Sequence, residues 1–86
     1  MSDTLAVLVG LELRRLRKRE GMTQAEVAHA LRLPRPVVSR RERGVHTMQL
    51  QHIDEQARVC GGSLAHVLLR IDIASGVLPA LAGAAV

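Results

Sequence analysis

The stretch from Met22 to Gly44, MTQAEVAHALRLPRPVVSRRERG, constrains the fold more than any other part of the chain. Thr23-Gln24-Ala25-Glu26 is a capping box: the Thr23 hydroxyl accepts from the Glu26 amide, and the Glu26 carboxylate accepts from the Thr23 amide. A short helix therefore begins there and ends near Ala30 or Leu31, with Val27, Ala28 and Leu31 facing in. Small Ala28 lets another helix cross closely. Arg32 then falls at a left-handed turn position where glycine would cost least, so strain is expected there. Leu33 is a core candidate within the turn. Pro34-Arg35-Pro36 follows, and a proline suits the first helical position while pushing its predecessor out of the helical region. These rules start the next helix at Pro36, with Arg35 extended before it. That helix runs to Gly44 with Val38 inward and Arg35, Val37 and Arg40 outward, Arg41 lying at the margin. The rest of the chain holds, flanks or pairs this two-helix unit.

Before it, a first helix is expected from about Asp3 to Arg19 or Glu20. Ser2 or Asp3 can cap it, and Asp3 suits the positive end of its dipole. Leu5, Leu8, Leu13 and Leu16 give it one broad apolar face. Arg14, Arg15, Arg17, Lys18 and Arg19 favour the negative end of the dipole, and Gly21 stops the helix. Gly10 interrupts it at a cost of about 1 kcal/mol, which a close packing contact would justify. After Gly44, Val45-His46-Thr47 forms a loop, and Thr47 is positioned to cap a fourth helix from Met48 to Cys60. Leu50, Ile53, Ala57 and Cys60 supply its apolar stripe. Gly61-Gly62 ends it, and Ser63 caps a fifth segment, LAHVLLRIDIAS. Leu64, Val67, Leu68 and Ile71 fit a helix there; Val67, Leu69, Ile71 and Ile73 fit a strand equally well. The Ser63 cap and the lack of a partner strand favour helix. Gly76 stops it, and residues 77–86 form an apolar tail.

Eighty-six residues bound this to one small domain with a modest core, the kind that gains stability from self-association. With no Phe, Tyr or Trp, aliphatic side chains must fill that core. No base can stack on an aromatic ring, which argues against single-strand binders and most RNA-binding modules. Ten of the twelve basic residues lie between Arg14 and Arg43, against three acids (Glu20, Glu26, Glu42), so that segment carries +7 and the remainder −3. Such a patch is the footprint of a polyanion partner, although charge runs are commonly solvated faces. Cys60 is the sole cysteine, so no disulfide framework exists, and a reducing cytoplasm fits. No membrane span, secretory signal, repeat or low-complexity linker is evident. His29, His46, His52, His66 and Cys60 lack metal-ligand spacing, and no nucleophile is set beside a base, so no metal, cofactor, small-molecule substrate or enzymatic activity is expected.

GLELRRLRKREGMTQAEVAHALRLPRPVVSRRERG resembles the Cro- and lambda-repressor-like helix-turn-helix family, the XRE-type regulators. The matching marks are Leu13, Leu16, Arg17, Gly21, Thr23-Gln24, Glu26, Val27, Ala28, Leu31, Val38, Ser39-Arg40, Glu42-Arg43 and Gly44. Leu50, Ile53, Ala57, Gly61 and Ser63-Leu64 extend them, so the resemblance covers about residues 10–69. It implies an all-α, lambda-repressor-like five-helix domain over residues 1–86, with the helix-turn-helix in helices 2 and 3, and with apolar N- and C-terminal extensions, the latter at 70–86. It also implies that Gln24 binds a backbone phosphate and that Arg17 and Glu42 form a partly buried ion pair tying the first helix to the third.

A major groove admits one α-helix, and the second helix of such a pair enters it N-terminus first. Arg35, Pro36, Val37 and Arg40 are therefore the candidate base readers. Arginine takes guanine O6 and N7 bidentately, each good pair discriminating by about 1–3 kcal/mol, and Val37 suits a thymine methyl. Gln24, Arg41, Arg43, His46 and Thr47 are the candidate phosphate contacts, which set position and affinity. Four departures from the family pattern stand out. Arg41 replaces an apolar residue, Pro34 and Pro36 replace hydroxyl caps, Asp54 and Gln56 occupy often-apolar positions, and so does Gly62.

The function expected is sequence-specific binding of double-stranded DNA by a homodimeric, cytoplasmic, nucleoid-associated transcriptional regulator, a repressor by promoter occlusion. One reading head spans few base pairs, and two-fold pairing doubles the site. Leu5, Leu8, Leu64, Val67, Leu68, Ile71, Val77, Leu78 and Leu81 are the candidate dimer interface. Two alternatives share the fold: an antitoxin whose apolar tail covers a toxin protein, and a protein-interaction adaptor that has lost DNA binding.

Overall fold

The computed structural model describes residues 4–45 and 47–75. They form five α-helices: α1 (Thr4–Arg19), α2 (Gln24–Leu31), α3 (Arg35–Arg43), α4 (Leu50–Val59) and α5 (Leu64–Ser75). The segment compatible with helix or strand is thus helical, and the all-α class expected from the sequence is observed. Val9, Leu13 and Leu16 of α1 pack with Val27 and Ala28 of α2, Val38 of α3, Ile53 and Ala57 of α4, Cys60, and Val67 and Ile71 of α5. This aliphatic cluster is the core. Within it, burial pushes the Cys60 thiol above its ordinary pKa.

The first four helices end in the same device. The amide of the left-handed residue returns to a carbonyl three residues back, and the next amide to one five residues back, as in Arg32 N to His29 O (3.1 Å) and Leu33 N to Ala28 O (2.9 Å). Glycine takes the left-handed position after α1, α3 and α4, whereas α2 uses Arg32 at φ 58°. The strain expected at Arg32 is therefore present.

Two glycines let α1 lie directly on the end of α3. A Cβ on Gly10 would stand 2.5 Å from the carbonyl oxygens of both Arg41 and Glu42. A Cβ on Gly44 would stand 2.5 Å from Val7 Cα. The helix-weakening Gly10 is thus explained by backbone approach.

Several expectations need correction. α3 begins at Arg35, one residue early, because the extended Pro34 (φ −62°, ψ 142°) closes the first turn by accepting from Val37 N at 3.0 Å. Pro36 then occupies the second helical position, where an amide would have no intrahelical partner anyway. α4 begins at Leu50, and its cap is Gln49, not Thr47: His52 N and Ile53 N both donate to Gln49 O. Thr47 lies too far upstream to reach those amides, and Met48 packs against the core instead.

The register of α1 also differs. Ala6, Val9, Gly10, Leu13 and Leu16 are its buried residues, while Leu5 is exposed and Leu8 half-buried. At 100° per residue, Leu5 lies about 80° around the helix from Leu13. Leu50, expected in the apolar stripe of α4, is 62% exposed because it starts the helix beyond the edge of the core. Val67 and Ile71 are buried in the core of the chain itself, so they are not surface residues free to form an interface. Val77, Leu78 and Leu81 lie outside the described residues.

Asp54 and Gly62, two of the departures, have structural roles. Asp54 Oδ1 accepts from Leu64 N (2.9 Å) and Oδ2 from Arg58 Nε (2.8 Å), joining α4 to the start of α5. The Arg58 bond, then the Leu64 amide, hold its carboxyl below its ordinary pKa. Ser63 Oγ adds the expected cap by accepting from His66 N. Gly62 makes room for Leu16, whose Cδ1 would lie 2.9 Å from a Cβ there.

Candidate nucleic-acid interface

The capping box that starts α2 is complete. Glu26 N donates to Thr23 Oγ1 (3.1 Å), and Thr23 N donates to Glu26 Oε1 (2.9 Å). These bonds hold the Glu26 carboxyl below its ordinary pKa, the Thr23 amide contributing most. With the start of α2 set this way and its end set by the Arg32 turn, the chain delivers α3 across α2 with Val38 fully buried beneath it.

A polar hub locks the three elements together. Arg17 donates from Nε to Glu42 Oε2 (2.6 Å), from Nη2 to Glu42 Oε1 (3.0 Å) and from Nη1 to the Met22 carbonyl (2.9 Å). Gln24 Nε2 adds a bond to Glu42 Oε1 at 3.2 Å. The side chains of Arg17 and Glu42 are 12% and 3% exposed, so this pair is desolvated and two-pronged. The Glu42 bond raises the Arg17 pKa further above its ordinary value. α1, the start of α2 and the end of α3 therefore meet at one carboxylate.

Opposite Val38, α3 presents its cationic face. Arg35 and Pro36 are exposed at its start, Val37, Ser39 and Arg40 are half-buried, and Arg43 is exposed at its end. Gln24, Arg35, Pro36, Ser39, Arg40 and Arg43 line one concavity. Val37, Arg40, Arg41, Thr47, Gln49 and His52 line a second, together with Met48. Arg40 borders both, so it forms the ridge between them. Among the described residues no carboxylate lies within ion-pair distance of Arg35 or Arg40, while Arg15, Arg17 and Arg58 are paired. Positive charge without an ion-pair partner is thus left on the outer side of α3.

The candidate residues sort as follows. Arg35, Pro36, Val37 and Arg40 lie together on the outer side of α3. Gln24 borders the same face, though its side-chain nitrogen is committed to Glu42. Arg43 lies back along the helix, with Nε 3.4 Å from Ser39 O. Thr47 is exposed on the second concavity, and His46 is outside the described residues. Arg41 is not a free surface cation: Nη1 donates to Gln56 Oε1 at 3.2 Å, and burial lowers its pKa, an effect that Glu55 opposes. Sequence reasoning did not name Ser39, Gln49, His52 or Gln56 as part of this region. Gln56 had a signal: two departures from the family pattern, a charge on α3 and an amide on α4, compensate each other.

A capped helix, a sharp turn and a second helix with an arginine-bearing outer face define a helix-turn-helix DNA-binding domain. A family model for the helix-turn-helix matches residues 13–67, and the chain belongs to this XRE-type family. Two solved structures are similar, both of the clp gene regulator ClgR from Corynebacterium glutamicum. One is 28% identical with a TM-score of 0.76, over 83% of this chain and 91% of that one. The other is 26% identical with a TM-score of 0.79, over 99% and 90%. No curated protein matches the sequence.

Proposed function

We propose that the protein is a homodimeric repressor that inserts α3 into the major groove of double-stranded DNA. The observation that carries this reading is the grouping of Arg35, Val37 and Arg40 on the outer side of α3, uncompensated by acids and backed by the desolvated Arg17–Glu42 pair. Arg35 and Arg40 read guanine edges, and Val37 packs on a thymine methyl. Gln24, Arg43, His46 and Thr47 contact flanking phosphates and fix the register. The similarity to ClgR, described as a gene regulator, supports a role in transcription.

Dimerisation uses the apolar surface away from α3. Leu5, Leu50 and Leu68 are exposed around a groove floored by Ala6, Val9 and Ile53. With Leu8, Leu64 and the apolar residues Val77, Leu78 and Leu81, they supply the area that pairs two reading heads. Selection of bound duplexes from a random pool at stated salt tests the whole reading. It should return a motif with two-fold symmetry whose half-sites contain guanine. A motif without symmetry would refute the dimer, and no enrichment over the starting pool would refute sequence reading.

A further inference from the structure

At the groove between α3 and α4 lies a polar pair outside the base-reading set, half-buried Arg41 and buried Gln56. Gln56 is 1% exposed and is one of the three buried residues of α4, with the core residues Ile53 and Ala57. A buried amide is costly unless hydrogen-bonded, and here its oxygen accepts from Arg41 Nη1. Arg41 is half-buried, so its stem packs while the guanidinium stays at the groove, which Arg40, Thr47, Gln49 and His52 also line. A guanidinium has five N–H donors, and the Gln56 bond uses one of them.

We propose that Gln56 is a positioning residue for DNA binding: from within the core it holds the Arg41 guanidinium in the α3–α4 groove, where that guanidinium binds a backbone phosphate beside Arg40. This rests on the DNA-binding reading above and adds a contact to it. Glu55 is the acid nearest in influence to Arg41. Without the tether, the arginine is free to turn toward Glu55 or open solvent and must be ordered again on each binding event. The ligand is a DNA phosphate, so the contact adds affinity on any duplex and leaves sequence preference unchanged.

The test is a double-mutant cycle read by salt-dependent binding to a mixed-sequence duplex, with thermal unfolding of each protein in parallel. Arg41→Met removes the charge and keeps the stem. It should lower the slope of log K against log salt by about 0.9, the contribution of one phosphate contact. Gln56→Leu should weaken binding roughly five- to ten-fold in the wild-type background, on the scale of ordering one long side chain at an interface. In the Arg41→Met background it should have no further effect. An unchanged salt slope in Arg41→Met overturns the proposal while DNA binding stands. So does an equal loss from Gln56→Leu in both backgrounds, which would mark a purely structural residue. If Gln56→Leu does not fold, Gln56→Met, which keeps the length of the side chain and lacks the acceptor oxygen, takes its place in the cycle. If the wild type binds no duplex at all, both this proposal and the reading it rests on fall.

Discussion

The carbonyl oxygen of Glu42 lies 2.5 Å from where a Cβ on Gly10 would stand, so the backbones of α1 and α3 touch at the residue whose side chain anchors Arg17. Backbone contact and ion pair between α1 and α3 meet at one residue, Glu42. The position of α3 thus depends on a missing side chain as much as on a present one.

Replacing Gly10 with alanine should therefore destabilise the fold. Alanine is the better helix former by about 1 kcal/mol, but its methyl group meets backbone that cannot swing away. Overpacking of this kind typically costs about 1–3 kcal/mol. Urea unfolding should show a lower midpoint for Gly10→Ala, with duplex affinity falling alongside it as α3 is pushed outward.

Glu42→Ala leaves the Arg17 guanidinium desolvated and unpaired, which typically costs about 3–5 kcal/mol. A double variant, Arg17→Met/Glu42→Leu, should recover most of that loss because no buried charge remains. Chemical denaturation of the single and double variants distinguishes an unpaired charge from simple loss of packing.

Arg32 holds a left-handed backbone, and its exposed side chain makes no hydrogen bond or ion pair among the described residues. A non-glycine residue there costs about 1–2 kcal/mol, partly offset by the greater unfolded-state freedom of glycine. Arg32→Gly should raise the stability by about 0.5–1 kcal/mol. For a domain of this size that raises the unfolding temperature by roughly 2–8 °C.

Acid should loosen the start of α2 and the junction of α4 with α5. The folded carboxyls of Glu26 and Asp54 lie below their ordinary values of 4.5 and 3.8. The unfolded chain therefore binds more protons in that range. The stability they contribute is fully present above those ordinary values and is lost as pH falls through the lower folded ones. A Glu26→Gln/Asp54→Asn variant should show a flatter acid limb in a plot of unfolding temperature against pH.

Much of this architecture was legible in the chain. The capping box places the start of α2, and Gly44 places the end of α3, because caps are local devices written in adjacent residues. Arg17 and Glu42 were identifiable only through the family resemblance, since no local pattern links positions 25 apart. The start of α3 was misplaced by one residue because rules for a single proline do not cover Pro34-Arg35-Pro36, where the first proline acts as the cap. The face of α1 was misread because leucine dominates an apolar count, whereas the helix turns its small Ala6 and Gly10 toward its neighbours. Arg41 and Gln56 each look anomalous in sequence. Only their proximity in the fold makes them a pair.

Reading of DNA by Arg35 and Arg40, from a helix held in place by the domain, is tested by measuring, at one stated salt concentration, the affinity of the wild type and of Arg35→Ala and Arg40→Ala for the selected duplex and for a scrambled one. Each substitution should leave the unfolding temperature nearly unchanged, weaken binding to the selected duplex by about 1–3 kcal/mol, and reduce the preference over the scrambled duplex. Folded variants that retain the wild-type affinity and preference would contradict the account.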